Sequence, residues 1–421
     1  MRLPKIFTTI QSYNLSIFVA DLLAGATVAM VALPLSLAIA IASGADPAKG
    51  VVTAIVAGLL ISLFGGSRVQ IGGPTGAFIV VVFGVIAEHG YDGLVLATFM
   101  AGIILLVAGY FRAGNLIAFV PEAVVNGFTI GIGIIIATSQ LKDFLGLTLE
   151  NNPADFIEKV PALWNARETF SLATFSIALI TLVLIVVLRR IAPRFPGLIV
   201  AVGVGSALVA FMPLPVETLG SRFGELPSQL PWPKLPDFSL ERIVELLPSA
   251  FVIAFLAAVE SLLSALVADK MIDGKHRPNA ELTAQGVANI GSALFAGLPA
   301  TGAIARTATN IKAGGKTPVA GIVHAVVILL IMLLAAPLAS YLAMPALAAL
   351  LIITAWNMTE PHKWREYANG RKSDIALLLL TLALTVAVDL SVAIGVGVSL
   401  GLALRLNRQK AKKHDWLPPD R

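Results

Sequence analysis

The sequence predicts an all-α polytopic membrane protein of 14 transmembrane segments, arranged as two inverted 7-span repeats with half-helices at spans 3 and 10. Three observations carry that expectation. Of 421 residues, 57% are hydrophobic and 13% charged, with mean hydropathy +0.87, against roughly a quarter charged in soluble domains. Two irregular stretches, GGSRVQIGGPTGAF at 65–78 and GLPATGAIARTATN at 297–310, interrupt apolar sequence with Gly, Pro and Thr. Their cores, PTGAF and ATGAI, coincide on a shift of 226 positions, and the same shift brings Pro34 onto Glu260, so the two halves correspond.

Each span needs about 20 apolar residues unless it is broken or tilted. In the first half they fall at 18–44, 49–64, a short one at 75–88, then 92–111, 121–141, 169–189 and 197–212. The second half gives 243–268, 281–296, a short one at 303–312, then 318–337, 341–358, 374–388 and 390–406. The repeats occupy 15–212 and 241–407. Between them, the Pro-rich and polar segment 213–240 reads as an extracytoplasmic linker. The basic tail 408–421 reads as a stop-transfer cluster at the cytoplasmic face.

Short cytoplasmic loops carry an excess of Lys and Arg. With the N-terminus inside, Lys5, Arg68, Arg189, Arg190, Arg194, Arg277, Lys316, Lys363 and Arg371 all face the cytoplasm. Only Lys49, Lys142, Lys159, Arg167, Arg222, Lys234 and Arg242 lie outside. Fourteen spans with both termini cytoplasmic follow. An odd number of spans per repeat forces the second to run opposite to the first, so spans 3 and 10 enter from opposite sides and aim their N-termini at one another.

Facing helix N-termini favour an anion between them, through unpaired N–H groups and partial positive charge. Thr75, Gly76 and Ala77 are the expected donors in the first half, Gly302, Ala303 and Ile304 in the second. Arg306, one turn after Gly302, either adds positive potential to that site or forms a structural ion pair with Glu260. Glu260 and Ser264 lie one turn apart in FVIAFLAAVESLLSALVAD. Apolar surroundings penalise the charged carboxylate, so Glu260 is a candidate proton carrier, a sodium ligand with Ser264, or a structural partner for Arg306. Pro34 removes a helix hydrogen bond and kinks span 1, where Ser36 and freed carbonyls either face the site or merely pack.

Other polar residues receive structural readings. Asn126, Thr129 and Gln140 are expected to bond between helices rather than contact substrate, His324 to be a satisfied histidine near a helix end rather than a proton relay, and Asp21, Glu122 and Asp269 to be caps or interfacial charges. No cysteine is present, and no HExxH, GxSxG, Walker or metal-spaced cluster occurs, so no enzyme, cofactor or metal is expected. No removable signal peptide is expected, and the charge of +5 speaks to topology rather than to nucleic acid.

These residues resemble the SulP anion transporters, bacterial relatives of solute carrier family 26. The likeness runs through ALPLSLAIAIASG, GGPTGAF, VVNGFTIGIGIIIATSQLKDFLG and the long block ELTAQGVANIGSALFAGLPATGAIARTATNIKAGGKTPVAG. It implies a core (18–111 and 243–337) moving elevator-fashion against a gate (121–212 and 341–406). It also implies an anion site between spans 3 and 10 framed by spans 1 and 8, an inner-membrane location with surrounding lipid, and a homodimer. Three departures matter. Leu35 stands where many relatives have Gln after the proline. Glu260, Ser264 and Ile304 stand where sodium-coupled bicarbonate relatives have Asp, Thr and Thr, which favours a proton over sodium. No STAS domain follows Arg408. The expected function is proton-coupled symport of a small anion such as fumarate, sulfate or bicarbonate. Sodium-coupled bicarbonate transport, a nucleobase permease and an anion channel or sensor are the alternatives.

Overall fold

The computed structural model describes residues 3–117, 121–150, 153, 155–192, 196–212, 214–388 and 390–409. Arg194, Pro213 and the basic tail past Gln409 lie outside the described residues.

Helices occupy the predicted segments, and local chemistry sets their ends. Helix α1, Leu15–Ala42, starts where the Asn14 side chain accepts from the Ile17 amide at 2.9 Å. Helix α2, Pro47–Phe64, has Asp46 as its cap and proline in its first turn. Helix α3, Ile79–Tyr110, joins predicted spans 3 and 4, and breaks at Gly90 (φ 71°, ψ 178°), a conformation open to glycine. Helix α4, Glu122–Leu145, stops at left-handed Gly146. Helices α5 (Leu172–Ile191) and α6 (Gly197–Phe211) complete the first half.

The second half contains α7 (Leu240–Ile272), α8 (Pro278–Leu294), the short α9 (Ile304–Lys312), α10 (Val319–Ala339), α11 (Met344–Met358), α12 (Lys372–Ala387) and α13 (Leu390–Gln409). Among the described residues, seven helical stretches are long and apolar enough to cross a membrane: α1, α2, Gly76–Tyr110, α4, α5, α7 and α10. Short helices also lie where only connections were expected, among them Phe156–Asn165 and Leu219–Phe223, the latter inside the linker and opened by a Thr218–Ser221 capping box.

Close helix contacts rest on small residues. A methyl on Gly102 of α3 would sit 2.8 Å from the Gly286 carbonyl of α8, and one on Gly286 would meet the Gly102 carbonyl at 2.8 Å. Thus α3 packs on α7 and α8, while α10 packs on α1 and α2. Separately, α4 packs on α11 and α12, and α11 on α5.

At the centre the all-α expectation gives way to a two-stranded antiparallel pair, β1 (Gly72–Gly73) and β2 (Thr301–Gly302), with Gly72 opposite Gly302 and Gly73 opposite Thr301. Irregular backbone buried among apolar helices needs internal hydrogen-bond partners. Here the helices supply them. Asn289 of α8 grips both sides of Ala300, its Nδ2 donating to the carbonyl at 2.9 Å and its Oδ1 accepting from the amide at 2.9 Å. Thr53 Oγ1 accepts from Leu298 N at 2.6 Å, Thr301 Oγ1 donates to Ala257 O at 2.8 Å, and Asn310 Nδ2 donates to Val69 O at 2.8 Å.

The Glu281 carboxylate, fully buried, accepts from Gly66 N (2.8 Å), Gln70 Nε2 (3.0 Å), Ser261 Oγ (2.8 Å) and Gln285 Nε2 (2.8 Å). Donors thereby take the place of a cation around a buried charge. Replacing Asn289 with Leu strands both Ala300 backbone groups, so Asn289→Leu is expected to cost about 2–4 kcal/mol. A melting curve of the detergent-solubilised variant that matched the parent's would contradict this.

Candidate functional site

The site is assembled from the β1–β2 crossing outward. Past Gly73, Thr75 stands before a 3-10 turn, Gly76–Phe78, that leads into α3. Past Gly302, Ala303 precedes α9. The first helical bond of α9 runs from Thr307 N to Ala303 O at 2.9 Å, leaving the amides of Ile304, Ala305 and Arg306 without acceptors in their own helix. One expectation changes here: the Ala303 amide, read as a donor to ligand, is bonded to Ile71 O at 2.8 Å. Strand pairing consumes it, and the free donors shift toward the next residues of α9.

Arg306 is the central side chain. Only 2% exposed, it donates from Nη2 to Ser36 Oγ of α1 at 3.2 Å. Its Nε and Nη1 have no hydrogen-bond partner. Gly73 makes room for the guanidinium, since a Cβ there would lie 2.6 Å from Nη1. Ser36 is held in turn by donating to Ala32 O at 2.7 Å, one turn back along the helix that contains Pro34. No ion pair between Arg306 and Glu260 occurs among the described residues, so the structural-pair reading of those two groups is not realised. A guanidinium at the middle of a bilayer costs at least about 2.5–3.5 kcal/mol, and two unused donor nitrogens add to that demand for an anion.

Thr75 Oγ1 is likewise buried and unpartnered, whereas its repeat equivalent Thr301 is bonded to Ala257 O. The sequence equivalence therefore hides a chemical difference: one hydroxyl is structural, the other free. A Cβ on Gly76 would face Met358 Sδ at 3.1 Å and Ile136 Cδ1 at 3.5 Å, so this turn abuts α4 and α11. Ala77 is buried, while the Ile304 side chain is 37% exposed and only its backbone belongs to the crossing.

Glu260 is 9% exposed, beside an apolar pocket lined by Val124, Val125 and Phe128 of α4 together with Phe255, Leu256 and Val259. Ser264 Oγ lies 3.3 Å from Thr307 Oγ1, which also accepts from Ile71 N, and so connects α7 to α9 and to the chain entering β1. Among the described residues no group of three or more metal-ligating side chains occurs.

Several structural readings change. His324 is fully buried and neither ring nitrogen has a partner, so it is not the satisfied histidine expected. Thr129 and Gln140 bond within α4, to Asn126 O and Ser139 Oγ, rather than between helices. Asp21 is a fully buried cap, accepting from the Lys316 and Thr317 amides and from the Thr317 hydroxyl. Sequence reasoning missed the polar shell of Gln70, Ser261, Glu281, Gln285 and Asn289. Its signal was the fourfold spacing of Glu281, Gln285 and Asn289, which places them on one helix face.

Residues 18–381 match the model of the sulfate permease family. YvdB of Bacillus subtilis, a candidate sulfate transporter by name, is 46% identical over 351 residues, covering 83% of this chain and 66% of that protein. The bicarbonate transporter BicA of Picosynechococcus is 33% identical over 349 residues, covering 78% and 60%. The chain therefore spans slightly less than two thirds of these relatives. The solved transmembrane domain of a cyanobacterial BicA superposes with a TM-score of 0.81 at 31% identity, covering 91% of this chain and 99% of that one. SLC26A9 shares the fold, with a TM-score of 0.86 at 18% identity over 97% and 68%.

Gly73 holds φ at +149° against the Arg306 guanidinium. Gly73→Ala is therefore expected to displace that group and reduce anion binding about tenfold or more, a charge-assisted bond being worth about 1.5–3 kcal/mol. Unchanged binding by the purified variant would contradict the assignment.

Proposed function

The chain belongs to the sulfate permease family, and from that premise we propose that it is a secondary transporter carrying a small anion by alternating access. The observation that carries this reading is the buried Arg306 guanidinium with Nε and Nη1 unpartnered beside the β1–β2 crossing. The anion is held against Arg306, the Thr75 hydroxyl and the leading amides of the 3-10 turn and α9, with Pro34 to Ser36 of α1 supporting the guanidinium. Sulfate and bicarbonate are the substrates named for the relatives, and a dicarboxylate such as fumarate presents the same carboxylate chemistry.

The proposed cycle moves a core (18–111 and 243–337) against a gate (121–212 and 341–406), in 14 spans of inverted repeats with both termini cytoplasmic. The packing of α3 on α7 and α8, and of α4 on α11 and α12, supports that division, because the extensive contacts run within each set. Gly76 and Glu260 both face the gate helix α4, which suits a site that opens and closes at this boundary. Glu260 is the proposed proton carrier: it is a buried carboxylate beside apolar side chains, with no hydrogen-bond partner among the described residues to hold its charge. The sodium reading is disfavoured by Ile304, which offers no side-chain oxygen, and by Ser264, which is already engaged with Thr307. The proposed assembly is a homodimer in the inner membrane.

Proteoliposomes test this function directly. Labelled sulfate, bicarbonate or fumarate is expected to accumulate under an imposed inward proton gradient, faster as the pH of the outer solution falls; accumulation driven by sodium alone would overturn proton coupling. Glu260→Gln is expected to retain equilibrium anion binding within about threefold while losing gradient-driven accumulation, because it keeps shape but cannot carry a proton. Persistence of the parent's pH profile in that variant would remove Glu260 from the coupling step.

A further inference from the structure

A second charged region lies away from the crossing, where the chain enters β1 and leaves α9. It is a cavity of about 190 Å³ lined by Thr9, Ser12, Ile17, Arg68, Lys316 and Thr317, among others. No carboxylate lines it. Neither Arg68 nor Lys316 has an ion-pair partner among the described residues. Positive charge is concentrated around it. Lys5 is held below the ordinary lysine range, first by burial and then by the neighbouring Arg277 and Arg68, with Asp269 opposing. Asp269 is engaged by His276 at 2.7 Å, and Asp21 accepts from Lys316 N, Thr317 N, the Thr317 hydroxyl and the Tyr13 hydroxyl.

The N-terminal segment closing this cavity has two faces. Helical turns run through Ile6–Thr9 and Ile10–Ser12. Thr9 and Ser12, three residues apart, face the cavity. Leu3, Phe7, Ile10 and Leu15 are instead 58%, 60%, 56% and 76% exposed. Arg277 Nη1 fastens the segment by donating to Leu3 O at 2.7 Å, and the Lys5 amide donates to Gly65 O at 2.9 Å. An apolar edge beside a pocket of cations and hydroxyls is the chemistry of a lipid interface.

We propose that this cavity binds the phosphate headgroup of an anionic lipid, with Arg68 and Lys316 as its charge partners and the acyl chains lying along Phe7, Ile10 and Leu15. The exposed apolar side chains select a lipid over a soluble phosphate, which would leave them uncovered. The lipid lies on the face that the proposed topology assigns to the cytoplasm and fastens the N-terminal segment to both arms of the crossing. Its binding does not depend on which anion is transported.

The test uses the full chain purified in a neutral detergent and titrated with short-chain phosphatidylglycerol or phosphatidylcholine. Phosphatidylglycerol is expected to bind and raise the melting temperature, phosphatidylcholine of the same chain length is not. The double substitution R68A/K316A is expected to weaken phosphatidylglycerol binding about 25-fold, at roughly a factor of five per surface cation, while R68K/K316R stays within about threefold. Equal binding of phosphatidylcholine, or parental affinity in R68A/K316A, would overturn the proposal. Displacement of the lipid by equimolar inorganic phosphate would assign the cavity to a soluble anion and overturn it as well.

Discussion

The hydrogen bonding of irregular backbone at the β1–β2 crossing is the constraint on which the remainder of the structure depends. Two chain segments leave helical geometry inside an apolar bundle, where no bulk water can satisfy their amides and carbonyls. Asn289, Thr53, Asn310 and Thr307, projecting from α8, α2 and α9, supply the missing partners, while the Thr301 hydroxyl ties the strand to Ala257 O of α7. Polar residues that would be costly in a lipid-facing helix thus become structural where they meet a strand. Glu281 is the extreme case, a buried carboxylate held by four donors and no cation.

Holding the crossing in this way leaves other groups unsatisfied. The strand uses the Ala303 amide and the Thr301 hydroxyl, but Thr75 Oγ1 and two nitrogens of Arg306 remain without partners. In a low-dielectric interior such donors attract negative charge strongly, and the amides at the start of α9 add to that field. These unpartnered donors suit the proposed anion. Glu260 lies apart from Arg306, against the gate helix α4, where its charge state can change without breaking an ion pair.

Much of this was legible in the sequence. Gly, Pro and Thr clusters at 65–78 and 297–310 marked both crossing segments because apolar periodicity stops there, and helices occupy each predicted segment. Arg306 stood out as a charge in an apolar stretch, and Ser36, read as either facing the site or merely packing, accepts from its guanidinium. The polar shell was less visible. Gln70 reaches Ser261 and Glu281 through contacts spanning 191 and 211 positions, and Ser261 meets Glu281 from another helix, which spacing along one helix does not reveal. Strand pairing, which removes the Ala303 donor, likewise depends on register between distant segments. His324 was read as a satisfied histidine near a helix end, whereas α10 packs it against α2 near Gly58 with neither ring nitrogen bonded.

Arg306 is proposed to hold the anion. Equilibrium binding of labelled sulfate and bicarbonate to the purified chain, compared with Arg306→Gln, tests it most directly. Saturable binding of at least one of these anions is expected in the parent, with an affinity lower by about 10–100-fold in Arg306→Gln, in a protein that still elutes as a folded species. Equal affinity in the two proteins would contradict it and place the anion elsewhere in the chain.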